Sequence, residues 1–455
     1  MPNHLHAFAD FLTQTKFDDI PKPAVKRAKL IIADCIAAIV GGSAEAENQA
    51  LETSIMRHGC ARILGGSNFS DAQSASLMNG TAGTALEMDE GHQFARGHPG
   101  MHVFPALLAA SDTADAPVTG QEFLQSFILG YDIAARIGLA TKLNPHMHPH
   151  GTWGVIGAAS AIGVLNRLDR QKIIELINIS SSFSLATSRK TMLEGGTVRN
   201  SYTGISNQMA HLAYQILQAG FSGEKDGIGS VFGNIVSSSF DANAALDALG
   251  TRFEVTRNYF KLHACCRYNH AALDALWLLM EQYSELQNPD NIAHIDVESY
   301  FLAAELTDPK PRNMLAARFS VPFAVATSLI NRSSKIQSFT QDMLEKTKIL
   351  DLAAKTSIKE NSDMSAQLPD YRPASICITM QDGSTYRASV KTNRGDWRDP
   401  YSEAELKEKY NSLTARRWSP AKSNALYTRI LNLEHALDMK EAFILCNRHQ
   451  SGFCV

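Results

Sequence analysis

The chain has 455 residues, of which 44% are hydrophobic, and its formal net charge at pH 7 is -3. This length predicts two domains, and the hydrophobic fraction is enough for a substantial core. The small net charge, with no basic cluster among aromatic residues, excludes the usual nucleic-acid-binding and membrane-surface proteins. No stretch reaches the ~20 apolar residues that span a bilayer, and the acidic N-terminus lacks the apolar centre of a signal peptide. We therefore expect no nucleic-acid partner and no membrane association.

Seven cysteines are scattered along the chain, at positions 35, 60, 265, 266, 377, 446 and 454. Their odd number and irregular spacing are not typical of a disulfide framework, and no CxxC pair indicates zinc. We therefore expect a reduced, cytoplasmic protein.

The first half of the chain has the pattern of successive helices. Residues 23–42 begin with Pro and end in Gly-Gly, with apolar residues at helical spacing. Asp34 lies in the apolar half of this segment, where we expect it to cap a neighbouring loop. The same periodicity predicts further helices at residues 74–86, 121–142, 155–168, 171–188 and 206–219.

Residues 79–112, NGTAGTALEMDEGHQFARGHPGMHVFPALLAASD, concentrate the polar chemistry of the chain. They hold three carboxylates and three imidazoles: Glu87, Asp89, Glu90, His92, His98 and His102. We expect a helix of small residues to end near Glu90 and a buried helix to begin near Pro99, because Pro suits a first helical turn. Since a helix N-terminus attracts anions, His98 and the following N–H groups are expected to hold a substrate carboxylate while the upstream carboxylates transfer protons. The alternative is a charged surface loop.

Three histidines alternate at positions 146, 148 and 150, in the Pro-broken loop NPHMHPHGTWG. As metal ligands they would lack a supporting HExxH helix and a fixed geometry. A single proton-exchanging histidine is the preferred interpretation, because histidine exchanges protons near neutral pH.

Two basic residues lie in segments that favour a functional role. Arg199 is at the centre of the Gly-bounded loop GGTVRNSYTG, where it can clamp a carboxylate through two hydrogen bonds; the alternative is a surface charge. Lys261 begins KLHACCRYNH, at the end of the helical region, and burial there is expected to lower its pKa and make it a base or a proton donor. Its neighbours Cys265 and Cys266 are expected in the core rather than as nucleophiles.

The pattern changes after about residue 270. Residues 292–302 alternate like a strand, and residues 374–390 form two alternating runs around Asp382-Gly383, which predicts a hairpin with a type I′ turn. Residues 323–330 and 341–354 look helical, and a capping box, Ser402 with Glu405, restarts the helical pattern. We predict a mostly α protein, with a large all-helical domain formed by both chain ends and a smaller inserted α+β domain. The boundaries are 1–268, 269–400 and 401–455.

Taken together, these segments resemble the MmgE/PrpD family, which includes 2-methylcitrate dehydratase, cis-aconitate decarboxylase and iminodisuccinate epimerase. The resemblance runs nearly end to end. It rests on the Asp34 helix and on NGTAGTALEMDEGH, GHPG, VFPALLAASD, HPHGTWGVIGAASA, GGTVRNSYTG, KLHACCRYNHAALDA, ARFSVPFAVA and RGDWRDPYSEAELKEKY. It implies a homodimer and a site between the domains, free of cofactor and metal, for a small polycarboxylate.

Carried over position by position, the resemblance implies four catalytic residues: His148, His98, Lys261 and Glu87. Five residues are expected to bind substrate: Arg199, Asp89, Glu90, His92 and Tyr202. His148 is the expected base, while His98 and Lys261 orient or protonate the substrate and Glu87 orients His98.

Four positions depart from the family pattern, namely Glu87 for Asp, Gly91 for Thr, Arg199 for Lys and Phe323 for Tyr. Arginine cannot give up a proton as lysine can, so Arg199 is expected only to bind. The departures indicate a substrate or an outcome different from the best-known dehydratase and decarboxylase members.

The expected activity is cofactor-independent removal of a proton alpha to a carboxylate, because cations and imidazoles near such a carbon lower the barrier to carbanion formation. A dehydratase resembling 2-methylcitrate dehydratase is the first interpretation. The alternatives are an epimerase of an iminodisuccinate-like dicarboxylate, a cis-aconitate-type decarboxylase, and a non-catalytic carboxylate-binding or scaffold relative.

Overall fold

The computed structural model describes residues 3–66 and 68–444, so Cys446 and Cys454 lie outside the described residues. Over the described part the protein is mostly helical, with a few sheets of two or four strands. The prediction of a mostly α protein is confirmed.

Twelve helices precede residue 258 in the described chain: α1 (Asn3–Gln14), α2 (Lys22–Gly42), α3 (Ala46–Ile55), α4 (Ala72–Thr84), α5 (Pro99–Asp112), α6 (Gly120–Ala140), α7 (Gly154–Leu165), α8 (Arg170–Ser181), α9 (Lys190–Leu193), α10 (Ser201–Gln218), α11 (Gly227–Ser230) and α12 (Ala242–Leu246). Short strands lie in the segments that follow these helices: β1 (Ala61–Arg62), β2 (Phe69–Ser70), β3 (Gly91–His92), β4 (Thr141–Leu143), β5 (Ser237–Phe240) and β6 (Asn258–Tyr259). They pair two by two, β1 with β2, β3 with β6 and β4 with β5.

The centre of this helical region is crowded, as its small residues predict. Helix α4 crosses α10, and a Cβ atom on Gly80 would lie 2.7 Å from the Cα atom of Gly204. No real side chain tolerates such a distance, so glycine is required where the two backbones meet. Helix α2 is buried along nearly its whole length against α4, α5 and α6.

A four-stranded sheet with helices forms the next region. Its elements are α13 (His270–Gln282), β7 (Ile292–Ser299), α14 (Phe301–Ala304), α15 (Met314–Arg318), α16 (Val321–Asn331), α17 (Thr347–Ala354), β8 (Thr356–Glu360), α18 (Ser362–Ser365), β9 (Ala374–Met380) and β10 (Thr385–Val390). The strand order is β10-β9-β7-β8, with β7 parallel to β8 and antiparallel to β9. Helix α13 covers β9 and β10.

The predicted hairpin is confirmed, but its turn differs from the prediction. A type I′ turn needs a positive φ at both central residues, whereas here Gly383 has a φ of +87° and Asp382 does not have a positive φ. The Met380 N–H donates to the Ser384 carbonyl oxygen at 2.9 Å, which closes a three-residue loop. This is the longer hairpin class with a left-handed glycine before the second strand.

The C-terminal segment packs on the first helices. It contains α19 (Glu403–Thr414), α20 (Pro420–Leu431) and α21 (Met439–Ala442); α19 and α20 contact α2, and α21 contacts α5. The predicted capping box of Ser402 and Glu405 begins α19. Asp34 of α2 forms a buried ion pair with Lys409 of α19, and the Lys409 ammonium also donates to the Met88 carbonyl oxygen at 2.5 Å. Asp34 therefore holds this loop through Lys409, and a backbone hydrogen bond from Glu90 adds a direct contact between the Asp34 carboxylate and the same loop.

Among the described residues no helix combines the length and apolarity needed to cross a bilayer. The described free thiols are Cys35, Cys265, Cys266 and Cys377, and the first three are buried as expected of core cysteines. Cys60 is disulfide-bonded, so the expectation of a chain with only reduced cysteines is not met at this residue.

Candidate active site

A cleft lies between the loops that precede α5 and α7 on one side and the segments around β6, α15 and β9 on the other. Its volume is about 540 Å³, including the part open to solvent. Its wall carries one carboxylate, Glu87, and five guanidinium groups, those of Arg96, Arg189, Arg199, Arg267 and Arg372. The cleft is therefore suited to a small anion with several acceptor oxygens.

The loop between α4 and α5 is buried. Glu87, Asp89 and Glu90 are each at most 1% exposed, so the alternative of a charged surface loop is wrong. Glu87 and Arg96 have φ values of +54° and +55°, in the left-handed region that non-glycine residues rarely adopt. Such strain persists only where surrounding contacts enforce it, and it is common at binding sites.

Glu90 supports the fold and does not reach the cleft. Its Oε1 atom accepts a hydrogen bond from the Gly100 N–H at 2.8 Å, and its Oε2 atom accepts one from the Tyr131 hydroxyl at 3.0 Å. Burial raises the pKa of Glu90 to about 8. The predicted start of α5 at Pro99 is confirmed, but its N-terminus already holds the Glu90 carboxyl group. The Gly100 N–H and both Glu90 oxygen atoms therefore have partners within the protein, and Glu90 does not line the cleft where a substrate would bind.

Five of the predicted site residues form one continuous buried network. Glu87 forms an ion pair with Arg199, and its Oε2 atom lies 3.2 Å from the Lys261 ammonium. That ammonium lies 3.6 Å from Asp89 Oδ1, and Asp89 Oδ2 lies 2.7 Å from His98 Nδ1. Two carboxylates thus alternate with three cationic or ionisable groups.

The charges of this network determine its protonation. Burial opposes ionisation of Glu87, but Arg199 and Lys261 outweigh burial and hold the Glu87 pKa below its ordinary value. Burial likewise opposes ionisation of Asp89, yet His98 and Lys261 lower its pKa. Burial alone would lower the Lys261 pKa, but the two carboxylates raise it above the ordinary value. The prediction that Lys261 has a lowered pKa is wrong, because its neighbours keep it an ammonium ion.

The histidines of the second loop meet His98 at the wall of the cleft. The His150 ring centroid lies 4.7 Å from that of His98 and 4.6 Å from that of His148. Burial, followed by the charge of Arg199, holds the pKa of both His148 and His150 well below the ordinary value. Both rings are therefore neutral, while His146 is exposed on the surface.

The hydrogen bonds specify which nitrogen atoms are available. The backbone N–H of His150 donates to His148 Nδ1 at 3.1 Å, so neutral His148 carries its proton on Nε2. His98 has the opposite arrangement: a carboxylate only accepts, so Asp89 favours the proton on His98 Nδ1 and leaves Nε2 as an acceptor. In their neutral forms His98 therefore offers an acceptor at Nε2 and His148 offers a donor at Nε2.

Three predicted substrate contacts lie elsewhere or already have partners. Asp89 stands behind the wall and holds His98. His92 lines the cleft, but its Nε2 atom lies 3.0 Å from buried Glu254, and burial lowers its pKa. Tyr202 is buried beside His148, with ring centroids 6.0 Å apart, and does not line the cleft.

Two departures from the family pattern have structural explanations. Gly91 pairs with Tyr259 between β3 and β6, and a Cβ atom at position 91 would lie 2.3 Å from the Tyr259 hydroxyl oxygen, so the expected Thr does not fit. Phe323 is buried against Phe339 and is not part of the cleft. Phe319 stands at the cleft instead, with the Arg199 guanidinium 5.2 Å from its ring centroid. The predicted alignment of Phe323 with the active-site Tyr is therefore wrong.

Several residues that line the cleft were not predicted from the sequence. Arg267 follows the KLHACC run and forms an ion pair with Asp396 at 2.6 Å, which joins two segments that carry the family resemblance. Arg372 lies in a short loop with no local pattern around it, and Arg96 was within the quoted 79–112 stretch but has no distinguishing spacing. His150 was considered only as one of three loop histidines.

The part of the chain that the structure describes contains no group of three or more His, Cys, Asp or Glu side chains placed to hold a metal ion. His148 and His150 are buried at the cleft, whereas His146 faces solvent, so the three histidines do not converge.

Comparison with known proteins gives two family matches and several relatives. The family model of the MmgE/PrpD N-terminal domain matches residues 6–241, and that of the C-terminal domain matches residues 263–434. A cis-aconitate decarboxylase of Aspergillus terreus is 24% identical over 458 residues, covering 94% of this chain and 93% of the relative. The cis-aconitate decarboxylase of Homo sapiens is 23% identical over 391 residues, covering 82% of this chain and 78% of the relative. A cis-aconitate decarboxylase-like protein, oryM, of Aspergillus oryzae is 22% identical, with 96% and 95% covered.

Proposed function

Because the chain belongs to the MmgE/PrpD family, we propose that it is a cofactor-independent lyase that removes a proton alpha to a carboxylate of a small polycarboxylate. The observation that carries this proposal is the buried Asp89–His98 pair at the wall of a guanidinium-rich cleft. A fixed imidazole and surrounding cations are what this chemistry requires.

His98 is the base in this proposal. Asp89 Oδ2 lies 2.7 Å from the Nδ1 atom of His98 and favours a proton there, so in the neutral ring the Nε2 atom is left to accept the substrate proton. The arrangement is the one by which a carboxylate orients a histidine base and stabilises the imidazolium that forms. Lys261 keeps Asp89 ionised and acts on the substrate only through that carboxylate.

Negative charge then builds on the substrate carboxylate next to the carbanion. The Nε2–H of neutral His148 and the guanidinium groups of the wall are donors that require no change of protonation to stabilise it. One such donor lowers a barrier by about 3–4 kcal/mol in well-placed cases. Arg199 contributes mainly by holding Glu87, because the two side chains are paired.

Dehydration is the first outcome we propose, as in the resemblance to 2-methylcitrate dehydratase. The proton that His98 has taken is returned to the β-hydroxyl group, so that water leaves and a double bond forms. One group can act as base and then as acid in this way.

Decarboxylation is the second candidate, and the names of the relatives favour it. In this outcome His98 first takes a proton from solvent. The carbon–carbon bond to one carboxylate breaks with loss of carbon dioxide, and His98 returns that proton to the resulting carbanion. Epimerisation has less support, because His150 is beside His98, with ring centroids 4.7 Å apart, and not across the cleft from it. A silent carboxylate-binding relative is the remaining alternative.

The experiment is incubation of the pure protein in deuterated water with citrate-type hydroxytricarboxylates and with cis-aconitate, followed by NMR. We expect deuterium at the alpha carbon and either an alkene or released carbon dioxide, each abolished in His98→Asn. A new stereoisomer without alkene would indicate an epimerase. No exchange and no product with any of these compounds would overturn the proposal in favour of a silent relative.

We also propose a homodimer, as the family resemblance implies, and a cytoplasmic location, on the scattered spacing of the cysteines. Val198, next to Arg199, leaves 56% of its surface exposed, which a partner subunit would cover. Light scattering coupled to size exclusion should give twice the chain mass of 49.8 kDa.

A further inference from the structure

Three of the five arginines at the cleft are paired with a carboxylate of the protein. Arg199 is paired with Glu87. Arg189 Nη2 lies 2.7 Å from Glu305 Oε2, and Arg267 Nη2 lies 2.6 Å from Asp396 Oδ2. These three guanidinium groups have their charge compensated before any ligand enters.

The other two arginines, Arg96 and Arg372, have no carboxylate partner among residues 3–66 and 68–444. Arg372 is 2% exposed, and its Nη2 atom donates to the Gln93 carbonyl oxygen at 3.0 Å. Its Nε and Nη1 atoms meet no acceptor at hydrogen-bond geometry, although the Tyr300 hydroxyl lies close to the guanidinium group. A buried cation with unused donors is costly unless an anion pairs with it.

Aromatic rings hold this guanidinium in place without neutralising it. Its central carbon lies 5.5 Å from the ring centroid of Tyr268 and 5.7 Å from that of Tyr300. Such contacts orient a cation over a ring face but leave its N–H groups free at the edge. Arg96 is half-buried on the same wall, and Arg372 and Arg189 add positive charge around it.

We infer that Arg96 and Arg372 form a carboxylate subsite for the end of the substrate remote from His98, so that substrates need at least two carboxylates. This inference rests on the proposed function, which places the reacting carbon at His98. A carboxylate has two oxygen atoms and can accept from two guanidinium groups at once. The sequence predicts that Arg199 binds a substrate carboxylate. The inference assigns that role instead to Arg96 and Arg372, whose charge no protein carboxylate compensates.

The two arginines come from different parts of the fold. Arg96 is on the loop that leads into α5, and Arg372 immediately precedes β9 of the sheet. A carboxylate held by both would bridge the helical region and the sheet region, and it would close the cleft around a substrate of suitable length.

Binding of unreactive acids tests the subsite without turnover. The probes are propane-1,2,3-tricarboxylate and glutarate, with butyrate as the monocarboxylate, measured by titration calorimetry on the full-length protein. We expect Arg96→Gln and Arg372→Gln each to weaken polycarboxylate binding by about 10- to 100-fold, the usual effect of losing one charge-assisted contact. Butyrate, with one carboxylate, should bind the wild type more weakly than either polycarboxylate, and Arg312→Gln, at an exposed arginine, is the matched control.

Two further comparisons between variants can contradict the inference. Arg372→Gln also removes the side-chain bond to Gln93 and can loosen the loop. The Arg96 side chain donates no hydrogen bond to a described residue, so Arg96→Gln must show the effect in a folded protein. Arg372→Lys should recover part of the affinity. Wild-type affinity for the tricarboxylate in both glutamine variants, or no binding of either polycarboxylate to the wild type, would overturn it.

The subsite and the proposed function can fail separately. Selective, arginine-dependent binding with no alpha-proton exchange would refute the lyase and retain the subsite. Exchange with unchanged KM in both arginine variants would refute the subsite and retain the lyase.

Discussion

His98 and His148 both face the cleft, but each offers a different nitrogen atom to a ligand. The Nδ1 atom of His98 contacts the Asp89 carboxylate. The Nδ1 atom of His148 accepts a hydrogen bond from the backbone N–H of His150. A carboxylate requires a proton on the ring nitrogen that it contacts, and a backbone N–H requires its absence. In the proposed mechanism the two histidines therefore act as a base and as a donor, although their intrinsic chemistry is the same.

Replacing His98 tests the first role. His98→Asn keeps a polar group of similar width but has no nitrogen that can take a proton near neutral pH. We expect kcat for alpha-proton exchange to fall by ~10²–10⁴-fold, the usual contribution of general base catalysis. Rapid-quench or NMR exchange kinetics measure this. Retention of near-wild-type kcat would assign the base elsewhere, first to His150.

A pair of substitutions tests the second role. A glutamine amide can donate from about the position of the histidine Nε2–H, whereas alanine cannot. His148→Ala should lower kcat by ~10²–10³-fold, as loss of one oxyanion donor does, and His148→Gln should recover part of that loss. The pKa of His148 lies well below its ordinary value, so protonation of His148 does not set the acid limb of the kcat/KM profile. That limb should therefore not move toward neutral pH in His148→Gln. If both substitutions abolish exchange equally, His148 is the base after all.

At the scale of elements, one buried ion pair joins the two ends of the chain beneath the catalytic loop. Lys409 of α19 contacts Asp34 of α2 and the Met88 carbonyl, between Glu87 and Asp89. Lys409→Met leaves the Asp34 carboxylate buried without a partner, and we expect a loss of about 3–5 kcal/mol in the free energy of unfolding. Urea denaturation measures it. The double variant with Asp34→Leu should lose less than Lys409→Met alone, because no unpaired charge remains.

A second prediction concerns the carboxyl group that caps α5. The Glu90 pKa rises from 4.5 to about 8 in the folded protein, so between these values the folded state binds more protons than the unfolded state. The free energy of unfolding must then fall as pH rises through this window, by an amount on the order of a few kcal/mol. Glu90→Gln keeps the acceptor for the Gly100 N–H and does not titrate. Its stability should therefore fall less than that of the wild type between pH 5 and pH 8, and equal slopes in urea titrations would contradict this assignment.

At the scale of the whole molecule, the cleft combines loops of the helical region with segments that border the sheet. His98 and Arg96 come from the first, and Arg267 and Arg372 from the second. Neither set alone forms the cleft, so binding of the proposed polycarboxylate depends on how the two regions meet.

The sequence predicts that turnover by the whole protein does not depend on a metal ion. The three loop histidines lack the spacing of a ligand set, and His146 points away from the other two. Dialysis against EDTA should leave kcat unchanged. Loss of turnover that one divalent ion restores would refute the prediction.

Local signals in the sequence were sufficient for much of the architecture. The period of α2 and α6, the proline at the start of α5 and the capping box of α19 each depend on residues within one or two helical turns. The crowding of Glu87, Asp89 and His98 in one short stretch likewise indicated the site. The type I′ turn was predicted wrongly, because a glycine in a hairpin loop is compatible with more than one loop length.

The sequence by itself therefore determined the helical character, the hairpin, the family and the stretch in which the chemistry lies. Only the tertiary structure decided that Lys261 remains charged, that Glu90 caps a helix, that Arg199 is paired with Glu87 and that Arg372 is not paired. The reason is physical. Helix and turn preferences arise from neighbours along the chain, whereas protonation and charge pairing depend on burial and on groups brought within about 4 Å from distant segments.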